Sequence, residues 1–134
     1  MDRQMRKCRI YDKKLKIIRD VKLIDFKNGE VMFYADDLTE RKYQASLDIV
    51  RGLDEVNIMW STSLKDEKGI DIYEGDLIEY RDGEESFRGK VEISCFGTYA
   101  ETEGDYISFE HFSDENTGIA GNCYIVGNVY ENQE

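Results

Sequence analysis

"SLKDEKGIDIYEGDLIEY", residues 63–80, is the stretch on which the reading of this chain turns. It opens as a charged loop, residues 64–76, and closes as a strand. Gly69 and Gly75 stand where tight turns call for a positive φ, which glycine adopts at little steric cost. Asp76 follows the second glycine, and its carboxylate can accept hydrogen bonds from turn backbone. Leu77, Ile78 and Tyr80 then carry the apolar pattern that feeds a strand.

Outward from this stretch, apolar residues recur with period two in short runs ended by turn residues. Toward the N-terminus, "CRIYD" (8–12), "LKIIRDVKLIDF" (15–26), "EVMFYA" (30–35) and "EVNIMWST" (55–62) read as strands, with Val56, Ile58 and Trp60 on one side and Trp60 in the core. Asn28–Gly29 between two such runs predicts a type I′ hairpin, whose two central residues both need φ > 0. Residues 36–51 fit two patterns. Leu38, Tyr43, Leu47 and Val50 suit a helix capped by Asp36 or Asp37, whereas Tyr43, Ala45, Leu47 and Ile49 alternate as a strand over 43–50, the reading preferred. Toward the C-terminus come "LIEY" (77–80), a turn at Asp82–Gly83, then "FRGKVEISCF" (87–96), "YISFEHF" (106–112) and "CYIVGNVY" (123–130). Gly127 inside the last run predicts a bulge or a close backbone approach. "YEGDLIEY" (73–80) and "TEGDYISF" (102–109) echo each other and read as two independent turn-then-strand solutions.

A strand about every ten residues predicts a mainly β chain, a small antiparallel barrel or sandwich. The Gly-Asp-apolar turn followed by Gly89-Lys90-Val91 looks like a small SH3-like barrel in the C-terminal half, an analogy of fold alone. The 134 residues read as one domain, 1–134, with room for two β subdomains, 1–62 and 63–134, that share a core.

The net charge of −11 is unevenly spread. Residues 1–27 hold ten Lys or Arg against four Asp, a net +6, and the remainder holds eight basic and twenty-five acidic residues, a net −17. Such a carboxylate excess repels phosphate backbones, so direct nucleic-acid binding by the main body is disfavoured. The basic segment is expected to lie along acidic surface of its own chain or of a neighbouring subunit. No run of residues is long and apolar enough to cross a bilayer as a helix. The opening "MDRQMRKCRIYDKK" is basic with no apolar core, unlike a secretory signal. Cys8, Cys95 and Cys123 lack CxxC spacing and are odd in number, which suits free thiols in a reducing, cytoplasmic setting.

The residues name no chemistry. His111 is the sole histidine, and neither a Cys–His pair with Cys95 or Cys123 nor a zinc site from all three has the required close spacing. Carboxylates cluster at Asp71, Glu74, Asp76 and Glu79 and at Glu101, Glu103 and Asp105, as expected of solvated faces in a chain with 29 acidic residues. No phosphate-binding loop, dinucleotide fingerprint or EF-hand spacing occurs. No catalytic, cofactor-binding or metal residue is assigned, and a non-enzymatic chain is expected. Of the nine Tyr, those beyond what the core holds suit a protein interface, where tyrosine is enriched.

Residues 63–80 resemble the YopX family motif, in which a Gly-Leu-Lys-Asp-x-Asn-Gly loop leads into an Ile-Tyr-Glu-Gly-Asp-apolar strand. "YIVGNVYENQE" (124–134) is similar to the family's closing Val-Ile-Gly-Asn-Ile-Tyr-Glu-Asn segment, and "CRIYDKKLKII" (8–18) to its opening aromatic-Arg-x-aromatic-Asp segment. Ser63 stands where the family usually has Gly, and Lys68 where it usually has Asn. The resemblance implies a bacteriophage or prophage product with a mainly β fold, and it carries over no catalytic residue. The empty search for chemistry, the charge asymmetry and the tyrosines point to a protein-binding or assembly module that self-associates as a homo-oligomer. An acidic decoy that inhibits a host nucleic-acid-binding protein is the alternative.

Overall fold

The computed structural model describes residues 7–34, 48–95, 97–114 and 116–131. Among them are thirteen strands and no α-helix. They are β1 (Cys8–Asp12), β2 (Ile17–Asp25), β3 (Glu30–Tyr34), β4 (Asp48–Gly52), β5 (Val56–Lys65), β6 (Asp71–Tyr73), β7 (Asp76–Asp82), β8 (Glu85–Ser94), β9 (Gly97–Thr102), β10 (Asp105–Ser108), β11 (Ser113–Asp114), β12 (Ile119–Ala120) and β13 (Cys123–Asn128). The chain divides into two compact units, Cys8–Met59 and a second made of Met1–Lys7 with Trp60–Glu134.

In the first unit β1 to β4 form an antiparallel meander in chain order. One face is apolar and packs Ile10, Val31, Phe33 and Val56 into a core, with Ile24, Ile49 and Leu53 around it. Asp12 is fully buried, and its carboxylate accepts from Arg51 Nε at 3.3 Å and Lys14 N at 3.1 Å. The hairpin between β2 and β3 lies where Asn28–Gly29 predicted it. Its loop has four residues, 26–29, and of the central pair only Gly29 has a positive φ (67°), so it is not a two-residue type I′ turn. The Asp25 side chain explains the longer loop: Asn28 N donates to it at 3.1 Å and Asn28 Nδ2 at 2.6 Å. Of the strand expected over 43–50, residues 48–50 fall in β4, and 43–47 lie outside the described residues.

In the second unit β7 to β10 and β13 make an antiparallel sheet in the order β10-β9-β8-β7-β13. Ile78, Val91, Ala100 and Cys123 from this sheet join Ile72, Phe109 and Ala120 in a core. Tyr80 and Phe87 face each other in register and stack at 5.2 Å, with Phe112 5.3 Å from Tyr80. Gly127 marks the predicted bulge, at the register shift between Ile125 and Gly127.

The described strands form two sheets and no closed barrel, which corrects the SH3-like expectation for the C-terminal half. The ends of the path are cut short by side-chain caps. Ser108 Oγ accepts from Glu110 N and turns the chain after β10 into a short 3-10 turn, 109–111. Asn128 Oδ1 accepts from Tyr130 N and Glu131 N, at 3.0 and 2.8 Å, and ends β13. The loop expected at 64–76 also contains structure: β6 lies within it, and Asp66, Ile72 and Tyr73 are buried. Trp60, expected in the core, is half-buried, and its neighbour Met59 is the fully buried residue.

Candidate functional site

The residues weighed for catalysis do not converge. His111 is exposed in the 3-10 turn, Cys95 is exposed and Cys123 is buried. Burial, with the charges of Asp66 and Glu67 nearby, pushes the Cys123 thiol up to about 12, so it is a poor nucleophile at neutral pH. Among the described residues no group of three His, Cys, Asp or Glu is placed to hold a metal ion. The carboxylates at 71–79 have separate structural duties. Asp71 pairs with Lys65 at 3.0 Å, Asp76 accepts from Tyr73 N at 2.8 Å, and Glu79 is held by Arg88 at 2.6 Å and by Arg81.

The middle and closing motif segments, 63–80 and 124–134, meet instead at a groove. Lys90 pairs across β8 and β9 with Glu101, which pairs with Tyr106 on β10. One pleat along, Glu92 pairs with Tyr99. Side chains alternate in a strand, so these residues share the face opposite the core side chains Val91 and Ala100. The turn at Glu74–Gly75 and the chain at Val129–Tyr130 form a wall. Gly75 N donates to Val91 O and Val129 N donates to Gly75 O, each at 2.9 Å. The result is an open groove of about 660 Å³, with Glu74, Lys90, Glu92, Tyr99, Tyr106 and Tyr130 among its lining.

Its charge is lopsided. Lys90 Nζ sits 3.0 Å from Glu92 and 3.7 Å from Glu101, and these carboxylates keep its ammonium above the usual lysine range. Glu74 makes no ion pair among the described residues, and Tyr130 is half-buried with its phenol raised by burial and then by the Glu74 charge. Two carboxylates, Glu74 and Glu92, therefore line the groove with one ammonium, and Glu101 holds that ammonium from beside the groove. Tyr106 is 62% exposed at the rim.

A second surface lies on the meander. Leu23, Met32 and Val50 are cross-strand neighbours on the face away from the core. Leu23 is 55% exposed and Val50 46%, and Lys22 pairs with Asp48 beside them at 2.9 Å.

Neither surface was legible beforehand. The groove depends on β9, "GTYAET", which the sequence reading passed over, though Thr98, Ala100 and Thr102 alternate with Tyr99 and Glu101 between Gly97 and Gly104.

The chain is mainly β, and its middle and closing motifs supply one wall of an open groove through Glu74–Gly75 and Val129–Tyr130. The chain belongs to the YopX family: the family model, described as YopX protein, matches residues 7–134. No curated protein matches the chain. The fold is similar to the crystal structure of protein EF1440 from Enterococcus faecalis, with a TM-score of 0.61 and 19% identity over 97% of this chain and 96% of that one. At that identity the likeness concerns fold alone.

Proposed function

We propose that the chain is a phage- or prophage-encoded, non-enzymatic protein-binding module that associates with copies of itself. The convergence of residues 74–75 and 129–130 with β8 to β10 on a tyrosine-lined groove carries this reading. Tyrosine suits such a surface because its ring contributes a large contact area at low entropic cost while its hydroxyl stays wet. Self-association is supported by the Leu23–Met32–Val50 row, in which Leu23 and Val50 are exposed and Met32 is half-buried. A second copy related by a two-fold axis covers that row with its own, and the flanking Lys22 and Asp48 offer each copy both signs of charge. Light scattering with mass determination on the purified protein tests this. We expect a mass that is a multiple of the chain mass, falling to one chain in Leu23→Asp and Val50→Asp with circular dichroism unchanged. A strict monomer of the unsubstituted protein at micromolar concentration refutes self-association.

A second reading is favoured by charge. Residues 60–134 hold eighteen acidic and five basic residues, a net −13, against a neutral 8–59. A carboxylate surface of that density resembles a phosphate backbone and suits an acidic decoy for a host nucleic-acid-binding protein. A pull-down from bacterial lysate at low salt that recovers no DNA- or RNA-binding protein speaks against it.

A further inference from the structure

We infer that the groove receives a cationic side chain, arginine or lysine, carried on an extended segment of a partner protein; the inference rests on the groove being a protein-binding site. Three observations converge. First, Tyr99, Tyr106 and Tyr130 line one concavity, and tyrosine faces attract ammonium and guanidinium groups through the ring quadrupole. Second, Glu74 and Glu92 line the groove against Lys90 alone, and Lys90 is already held by Glu92 and by Glu101 beside the groove, so the groove holds negative charge with no ion pair for Glu74 among the described residues. An anionic segment meets repulsion in it, and a neutral one leaves Glu74 uncompensated. Third, the same sheet already uses this contact: the Arg81 guanidinium carbon lies 4.7 Å from the centre of the Tyr124 ring.

The geometry also sets which residue does what. Lys90 is held between Glu92 and Glu101, so it fixes the floor. Glu74 stands on the wall beside Tyr130 and is the carboxylate available to an incoming cation. Tyr106, on the edge strand β10 and largely exposed, closes over the cation from the rim. Glu74 and Tyr106 are thus the specificity-determining pair.

The acidic surface of this unit attracts any polycation, so the probe must carry one positive charge. Titrate the 15N-labelled full chain with the capped pentapeptide Gly-Ser-Arg-Ser-Gly, and separately with the same peptide bearing Gln for Arg. The Arg peptide is expected to shift the amides of Glu92, Tyr99, Tyr106 and Tyr130 saturably, and the Gln peptide to leave them in place. Tyr106→Ala and Glu74→Gln should each weaken Arg-peptide binding about fivefold, whereas Tyr106→Phe retains it. Both positions are away from the core, and the amide spectrum itself reports folding. Shifts scattered over Asp82, Glu84 and Glu85 instead of the groove overturn the inference, as does indifference to Tyr106→Ala. Equal binding of the Gln peptide in the groove removes the cation preference and leaves a protein-binding groove standing. If neither peptide reaches the groove, both the cation and the groove fail, while the mass of the Leu23 variant still judges self-association.

Discussion

Asp66 shows what the family motif does at the scale of one residue. It is 1% exposed, and its carboxylate accepts from Lys68 N and Ile70 N at 2.9 Å and from Ile125 N at 3.2 Å. A buried carboxylate that satisfies three backbone donors fixes the 66–70 loop and ties it to β13. Asp66→Ala leaves all three donors short, and each net hydrogen bond is worth ~1 kcal/mol. We expect a loss of about 3 kcal/mol by urea unfolding, and a change under about 1 kcal/mol would mean that the loop is held otherwise. Ser63 is the counter-example, a departure from the family that costs stability. Its φ is +65°, a region that disfavours any residue with a Cβ by roughly 1 kcal/mol. Ser63→Gly should raise stability by up to ~1 kcal/mol, partly offset by the freer unfolded chain. An unchanged or lowered thermal midpoint would count against the strain. Cys123 gives a pH prediction. Its thiol is raised from 9.0 to about 12, so the folded state holds a proton that the unfolded state releases first. The stabilisation is complete below pH 9 and is lost as pH rises toward 12. In Cys123→Ala the decline over that window should be shallower, as urea midpoints at stepped pH would show.

At the scale of elements, turn chemistry carries most of the outcome. Gly75 has a φ of +91° and bonds to Val91 and Val129 through its N–H and C=O, so it aims β7 and anchors the groove wall together. Gly75→Val forces a β-branched residue into that conformation and should destabilise by more than ~1 kcal/mol. Equal thermal midpoints for the two proteins would contradict the turn geometry. The echo at Glu103–Gly104 is a different element. There both residues have positive φ, 34° and 91°, and close the two-residue hairpin between β9 and β10, whereas Glu74–Gly75 links β6 to β7. Independent solutions to a turn, as read from the sequence, fit this difference. Most strands were legible from alternation, and Gly127 foretold its bulge. What escaped were strands with weak apolar content: β9, β6 inside a run of charges, and the two-residue β11 and β12. β6 is a strand because Ile72 and Tyr73 are buried there and because Thr62 Oγ1 donates to Ile72 O at 2.8 Å, facts of packing and not of propensity.

For the whole molecule, charge is the dominant feature. Residues 1–27 carry +6 and the remainder −17, and the neutral balance of 8–59 leaves residues 60–134 at −13. In a homo-oligomer, contact between the basic segment and acidic surface is a rim interaction that salt screens, while an apolar seam at Leu23, Met32 and Val50 resists salt. We expect partial dissociation between low salt and about 1 M salt, where the Debye length falls to ~3 Å. Arg3→Gln, Arg6→Gln and Lys7→Gln together should mimic high salt and leave folding nearly unchanged. Sedimentation at two salt concentrations reads both effects. An oligomer indifferent to salt and to the triple substitution would assign the basic segment to an external acidic partner.

The sequence by itself determined the mainly β character, the turn positions, the free thiols' lack of metal spacing and the family, because period-two alternation, glycine placement and motif order are local and survive without context. Tertiary structure alone decided that the sheets stay open, that Asp66 and Asp76 are buried staples instead of surface charge, and that Tyr99, Tyr106, Tyr130 and Glu74 share a groove. The reason is physical: burial and cross-strand register depend on partners tens of residues away, such as Ile125 for Asp66 and Val129 for Gly75, and no local pattern encodes which partner a strand or carboxylate will find.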